Sequence, residues 1–120
     1  MIEKVNLSEK FALFTEHWSP KIAGEVNDSL VKLVKFRGDF VWHRHETEDE
    51  LFFVVKGRIT IRLRDGDVEL GEGEFVIIPR GVEHKPYAEE EAHVLLFEPK
   101  TVLNTGDVVN ERTRPVLEKI

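Results

Sequence analysis

Two short stretches carry the residues that are best suited to chemistry in this chain of 120 residues. The first contains His43 and His45, and an extended strand would place both imidazoles on one face with their Cα atoms roughly 6.6 Å apart. Glu50 follows a polar segment, 46–49, which can turn the chain so that Glu50 begins a new strand and points inward. The second stretch reverses at a Pro-x-Gly turn and places His84 at the start of the next strand. Three imidazoles and one carboxylate form a suitable ligand set for one divalent transition metal ion.

The order and spacing of these residues resemble the two motifs of the cupin family. The first family motif has a glycine, a His-x-His pair, a glutamate and a second glycine, and the second motif has a glycine, Pro-x-Gly and a histidine. In this chain the motifs run from Gly38 to Gly57 and from Gly73 to His84. The resemblance implies an all-β fold, a double-stranded β-helix or jelly-roll barrel, whose metal ligands are His43, His45, Glu50 and His84.

Two positions depart from the family pattern. Four residues separate Gly38 from His43 where five are usual, and Ala88 stands where the family often has asparagine. Neither departure affects a ligand, but Ala88 removes one polar group that could position a substrate.

Short apolar segments separated by turn residues predict eight or nine strands, the pattern of an antiparallel sandwich or barrel. A short helix is expected from Ser8 to about Glu16. The predicted strands include 21–26, 30–36, 40–45, 51–55, 58–64, 68–70, a buried strand at 75–78, and 92–98. Turns are expected at 27–28, 37–39, 65–66, 71–73 and at the acidic residues 89–91. We expect one cupin domain over 1–120, with the barrel at about 21–99, an N-terminal segment at 1–20 and a C-terminal tail at 100–120. Within that tail, 111–120 would pack on the barrel or on a partner chain.

The composition argues against several classes of partner. A net charge of −6 and a pI near 5.4, without a basic cluster, argue against a surface for nucleic acid or anionic membrane. The chain has no cysteine, so it has neither a disulfide framework nor a thiolate metal site. The first ten residues carry charges where a signal peptide needs an apolar core. We therefore expect a soluble, cytoplasmic protein.

The ligand set also constrains the chemistry. With three neutral imidazoles and one carboxylate, a divalent ion keeps a charge of about +1, which attracts an anionic or chelating small molecule. Four protein ligands leave two open positions on a six-coordinate ion and none on tetrahedral zinc. Catalysis therefore favours Fe(II), Mn(II), Ni(II) or Co(II), whereas affinity alone favours copper or zinc. We expect a metalloenzyme with oxygenase, isomerase or lyase chemistry on a small polar or anionic metabolite. The alternative is a metal-dependent protein that binds or senses a small ligand without turnover.

Small cupins of this kind are often labelled as resembling mannose-6-phosphate isomerase. That label describes similarity to one barrel of a larger enzyme. No phosphate-binding loop is visible in this sequence, so the label does not imply that substrate.

A few residues outside the ligand set are weaker candidates for roles near the metal. His93 could act as an acid or base, but its strand parity groups it with Leu95 and Phe97, which is more typical of a core histidine. Arg80 could meet a substrate anion at the rim, although a solvated turn residue is the simpler interpretation. The apolar residues that share parity with the ligands would line a pocket wall or form plain barrel core; these are Val41, Phe52 and Val54.

Two segments, 51–55 and 75–78, are apolar on both faces of a strand. Trp42 also points away from the metal side of its predicted strand. A strand that is buried on one side only should alternate, so a second layer must cover the outer face. The N-terminal segment could provide that cover, but we expect a homodimer built on the sheet.

Overall fold

The computed structural model describes residues 2–120 and contains one short helix and seven strands in that range. The helix is α1 (Leu7–Phe11). The strands are β1 (Lys21–Val26), β2 (Ser29–Asp39), β3 (Glu50–Lys56), β4 (Ile59–Leu63), β5 (Gly66–Leu70), β6 (Phe75–Ile78) and β7 (His84–Pro99). The all-β prediction with a short N-terminal helix is confirmed. No described helix has the length and apolar character needed to cross a membrane.

The 16-residue strand β7 connects the two halves of the barrel. Its first residues, His84 to Tyr87, pair with β4, and its later part pairs with β2 on one side and β3 on the other. All ladders are antiparallel, in the order β1-β2-β7-β3-β6, and β5 pairs with β4. β7, which begins with the predicted ligand His84, therefore pairs with three other strands, β2, β3 and β4.

The apolar core fills the barrel interior, and a second cluster covers part of the outer face. Val34, Phe52, Val54 and Val94 are buried among the interior side chains. On the outside, Phe11 and Phe14 of the N-terminal segment pack over Leu33 of β2, with Val55, Leu95 and Ile120 at the edge of the cluster. The N-terminal segment thus covers one part of the sheet.

The predicted helix from Ser8 to about Glu16 is too long. Asn6 caps α1, because its Oδ1 accepts a 2.9 Å hydrogen bond from the backbone N–H of Glu9, and the helix ends at Phe11. Beyond that point the carbonyl of Phe14 accepts a 2.6 Å bond from Lys35 Nζ. A tertiary contact therefore satisfies the Phe14 carbonyl, which a longer helix would have paired with a backbone N–H.

Two predicted turns are wrong because the strands run through them. β2 continues to Asp39, with Gly38 at a φ of 74° in an irregularity of the ladder. Phe36 pairs with Ala92 and Gly38 pairs with Ala88, so the acidic residues 89–91 lie opposite a single residue of β2. The acidic triplet forms a bulge within β7 rather than a turn.

Three further predictions need correction. Segment 40–45 is not a strand, since His43 alone makes an isolated bridge, with His84. The hairpin turn expected at 65–66 lies one residue earlier, and Gly66 already pairs with Leu63. β6 is not buried: Phe75 and Ile77 are 60% and 51% exposed, because β6 is an edge strand with an open outer face.

The C-terminal tail packs on the barrel, one of the two placements expected for it. The backbone N–H of Ile22 in β1 donates to Glu118, and the N–H of Ile120 donates back to the carbonyl of Ile22, both at 2.9 Å. Closer to the barrel mouth, Val102 and Thr105 are buried.

Candidate metal centre

The structure brings the four predicted ligand residues together inside the barrel. One potential ligand atom from each residue lies within 4.8 Å of every other, and all four side chains are buried. Donors placed around one ion at 2.0–2.2 Å can be up to about 4.4 Å apart, so atoms grouped this closely are near the spacing of a metal site. The residues are His43, His45, Glu50 and His84.

Backbone hydrogen bonds join the two stretches that supply the imidazoles. The N–H of His43 donates to the carbonyl of His84 at 3.1 Å, and the N–H of His84 donates back at 2.9 Å. The N–H of Gly81, whose φ is 81°, donates to the carbonyl of His45 at 2.8 Å. Glu50 enters the site as the first residue of β3 and pairs with Ile78 at the end of β6. The segment 40–45 is thus held by β7 and the Gly81 turn although it is not itself a strand.

Two of the imidazoles are oriented by backbone carbonyls. His43 Nδ1 lies 2.9 Å from the carbonyl oxygen of Val41, and His84 Nδ1 lies 2.9 Å from that of Val82. A carbonyl oxygen can only accept, so Nδ1 carries the proton in both rings. Each Nε2 then presents a lone pair to the centre of the site, as a metal-binding histidine does.

The contacts at the centre fit a cation. Glu50 Oε1 lies 3.2 Å from His84 Nε2 and 3.3 Å from His45 Nε2. The His45 contact lacks the geometry of a hydrogen bond, and this buried nitrogen has no other partner among residues 2–120. A divalent ion between these atoms would bind the nitrogens and the carboxylate oxygen together, and it would give the buried His45 Nε2 a partner. The donor set therefore fits the transition metal ion that the spacing predicted.

Burial and the neighbouring charges favour the protonation states that bind a metal. Burial, followed by the neighbouring His84, lowers the pKa of His43 to about 4. Burial raises the pKa of Glu50, but the contacts with Glu98, His45 and His84 outweigh it. The pKa of Glu50 therefore lies well below its usual value. At neutral pH His43 is neutral and Glu50 is a carboxylate.

Sequence reasoning missed a buried pair of charged residues behind Glu50. Lys32 Nζ lies 2.9 Å from Glu98 Oε1, and both side chains are almost completely buried. Burial, followed by the negative charge of Glu50, raises the pKa of Glu98 well above its usual value. The available signal was strand parity, because Lys32 lies on the same face of β2 as the buried residues Leu30 and Val34.

A small apolar cavity adjoins the ligands. Its volume is about 30 Å³, room for one or two water molecules, and His43 and Glu50 form part of its wall. Aromatic rings and aliphatic side chains supply most of the remainder: Trp18, Pro20, Val34, Phe36, Phe40, Phe52, Pro86 and Leu96. Asn104 of the C-terminal tail also lines the cavity, and both ends of its amide are bonded to backbone groups of Arg112 and Arg114. Of the predicted apolar wall, Phe52 lines the cavity, while Val41 and Val54 belong to the surrounding core.

The weaker candidates lie away from the ligands. His93 is on the outer face of β7, where its ring stacks on Phe11 at 4.4 Å and its Nε2 lies 3.4 Å from Glu91. Arg80 is bound to Asp49, through its backbone N–H at 2.9 Å and its guanidinium at 3.3 Å. The guanidinium of Arg64 lies over the Trp42 ring at 3.8 Å, and Trp42 is not among the described residues that line the cavity.

Comparisons with known proteins agree with this geometry. The chain is 39% identical over 62 residues to the uncharacterized protein YdbB of Bacillus subtilis, which covers 51% of this chain and 55% of that protein. It is 29% identical over 96 residues to a protein of Saccharolobus solfataricus named "Putative dioxygenase SSO1533", covering 76% of this chain and 24% of that protein. The chain thus spans about half of the first relative and about a quarter of the second.

A solved structure extends the likeness across most of the fold. The cupin-2 domain protein of Shewanella frigidimarina is 48% identical and superposes with a TM-score of 0.79, covering 80% of this chain and 94% of that one. The family model described as the cupin domain matches residues 30–99, the region that holds all four converging residues. With its barrel, its paired motifs and this match over more than half of its length, the chain belongs to the cupin family.

Proposed function

We propose that the protein is a metal-dependent oxygenase that acts on a small anionic metabolite. The observation that carries the proposal is the convergence of three imidazoles and one carboxylate at the wall of an apolar cavity. His43, His45, Glu50 and His84 would hold one divalent ion. When bound, a six-coordinate ion such as Fe(II) supplies two open positions and one-electron redox chemistry.

The scarcity of other polar groups favours oxygenase chemistry over an isomerase or a lyase. Isomerases and lyases need an acid or base within hydrogen-bond reach of the substrate. Outside His43 and Glu50, the described residues that line the cavity include one side-chain amide, that of Asn104. An amide does not act as an acid or base, and this one is already hydrogen-bonded to the backbone. An oxygenase can rely on its metal ion for the reaction, and an apolar wall suits dioxygen.

The charge of the site supports an anionic substrate. The ion and its ligands would carry a net charge of about +1. Arg112 adds a permanent positive charge nearby, because its guanidinium lies 5.9 Å from the Trp18 ring and 6.0 Å from the Phe40 ring. Both rings line the cavity. A metabolite larger than the cavity would extend from the ligands past these rings, where Arg112 could meet its carboxylate.

The similarity to the Saccharolobus solfataricus protein supports the same reaction class, since that relative is named as a candidate dioxygenase. The second candidate function is binding of a small ligand without turnover. The cavity is small, and outside His43 and Glu50 its lining among residues 2–120 carries no acid or base, which favours this alternative over any enzyme that depends on proton transfer.

The test is reconstitution of metal-free protein with Fe(II) under anaerobic conditions, followed by addition of dioxygen and a panel of small carboxylates and phenols. We expect dioxygen consumption that depends on one class of substrate and is absent from His84→Ala. Saturable binding of a carboxylate without dioxygen consumption would identify the second function instead. An Arg112→Gln variant should weaken that binding in either case.

A further inference from the structure

A lysine lies in the interior of the barrel beside the candidate metal centre. Lys32 occupies an inward position of β2, and its side chain is 1% exposed. Fully buried lysines and glutamates are rare unless they are paired. Lys32 is paired, because its Nζ lies 2.9 Å from Glu98 Oε1 and the Glu98 side chain is equally buried.

Glu98 in turn meets the candidate ligand Glu50 on the neighbouring strand. Leu51 of β3 pairs with Phe97 of β7, so the antiparallel register sets Glu50 directly beside Glu98. The Lys32 and Glu98 side chains are each 1% exposed and the Glu50 side chain is 5% exposed, so all three lie side by side in the interior. Glu98 Oε1 accepts from Lys32, and the buried Glu98 Oε2 has no hydrogen-bond partner among residues 2–120. Lys32, Glu98 and Glu50 therefore form one buried row that ends at the histidines.

We propose that Lys32 and Glu98 are positioning residues that orient the carboxylate of Glu50 for metal binding. By packing against one side of that carboxylate, the Lys32–Glu98 pair keeps Oε1 directed at His45 and His84, 3.3 and 3.2 Å away. Groups behind a metal ligand commonly fix its orientation and its basicity. The inference rests on the proposed metal centre, but it concerns how this chain builds that centre.

Fold stability alone does not account for the pair. Apolar residues of similar volume usually stabilise a core as well as a buried ion pair does, or better. The informative property of Lys32 and Glu98 is their place behind a ligand. Lys35 provides a matched control on the same strand, because it is also buried but its Nζ donates to the carbonyl of Phe14 on the outer face.

The test compares Co(II) affinity, measured by calorimetry, across four variants of the full chain. Glu98→Leu should weaken binding by roughly 10- to 100-fold, the range found for groups behind metal ligands. Glu98→Gln should stay within about threefold of wild type, because its amide keeps the size of the carboxyl group and can still accept from Lys32. The double variant Lys32→Met/Glu98→Leu leaves no unpaired charge, so it should fold stably and still bind weakly. Lys35→Met should bind Co(II) as wild type does.

Two results would overturn the inference. One is wild-type affinity in the folded double variant, and the other is an equal loss of affinity in Lys35→Met. Metal-free protein provides a separate measurement, the side-chain nitrogen resonances of the histidines. The Nε2 signals of His45 and His84 should shift in Glu98→Leu and stay in place in Lys35→Met. If wild type binds no Co(II), the proposed function fails while this measurement still decides the role of Glu98: shifted signals support positioning, and unchanged signals refute it.

Discussion

Replacing Gly106 with alanine should loosen the C-terminal tail from the metal centre. Gly106 has a φ of 58°, and a Cβ built there would overlap the carbonyl oxygen of Arg44 and lie 3.0 Å from His43 Cδ2. Two hydrogen bonds join the same segments: the N–H of Asp107 donates to the Arg44 carbonyl at 3.0 Å, and the N–H of Arg44 donates to Asp107 Oδ1 at 2.9 Å. The tail therefore packs on the backbone of Arg44, which lies between the candidate ligands His43 and His45, and on the His43 ring.

Gly73 allows the backbone strain of that substitution to be separated from its steric overlap with Arg44. It has a φ of 83°, and a Cβ built there meets nothing within 4 Å. Gly73→Ala should lower the free energy of unfolding by about 1–2 kcal/mol, the cost of a left-handed backbone for an alanine. Gly106→Ala should lose about 1–3 kcal/mol more, because both hydrogen bonds to Arg44 must stretch or break and each contributes about 0.5–1.5 kcal/mol.

Urea unfolding followed by Trp fluorescence measures both free energies, and Co(II) calorimetry measures the effect on the site. Displacement of His43 should weaken Co(II) binding at least about tenfold in Gly106→Ala and leave Gly73→Ala unchanged. Equal destabilisation of the two variants, with equal metal affinity, would refute the close packing of the tail on the ligand segment.

Three further predictions concern the metal, pH and assembly. His84→Ala should weaken Co(II) binding more than about 100-fold, yet the variant and chelator-treated wild type should both keep a cooperative thermal transition, since the apolar core does not need the ion; loss of both transitions would make the metal structural. In metal-free protein, unfolded His43 binds a proton below about pH 6.5 but folded His43 only below about pH 4. The unfolded state thus holds more protons between these values, so stability should fall by about 3 kcal/mol from pH 7 to pH 4, and His43→Leu should remove this component from urea unfolding curves. Light scattering at micromolar concentration should give the mass of two chains, and Ile77→Lys on the exposed face of β6 should give one; a wild-type monomer whose outer face is covered by residues 1–20 would refute the dimer.

The convergence of the four candidate ligands could be predicted from the sequence because their spacing carries the information. His43, His45, Glu50 and His84 needed only their order and separation to be grouped, even though the predicted strand at 40–45 does not form. Backbone bonds from His84 and Gly81 place the first two imidazoles instead, and these contacts come from residues about 40 positions away in the chain. Local pattern therefore identified the residues but not the structure that holds them.

Other features depend on tertiary contacts that no local pattern records. The acidic residues 89–91 look like a turn, but long ladders on both sides of β7 carry the strand through them as a bulge. The apolar segment 75–78 looks buried, but its place at a sheet edge leaves one face open. Lys32 and Glu98 are 66 positions apart, and their pairing becomes visible only when β2 and β7 are aligned.

The central claim is that one divalent ion binds at the four converging residues. The most direct measurement is the metal content of Co(II)-loaded, desalted protein, by mass spectrometry, for wild type and for separate alanine variants of His43, His45, Glu50 and His84. We expect one ion per wild-type chain and a large loss of retained metal in each variant, while the control Lys35→Met retains one. Wild type without metal, or four variants that retain it fully, would contradict the account.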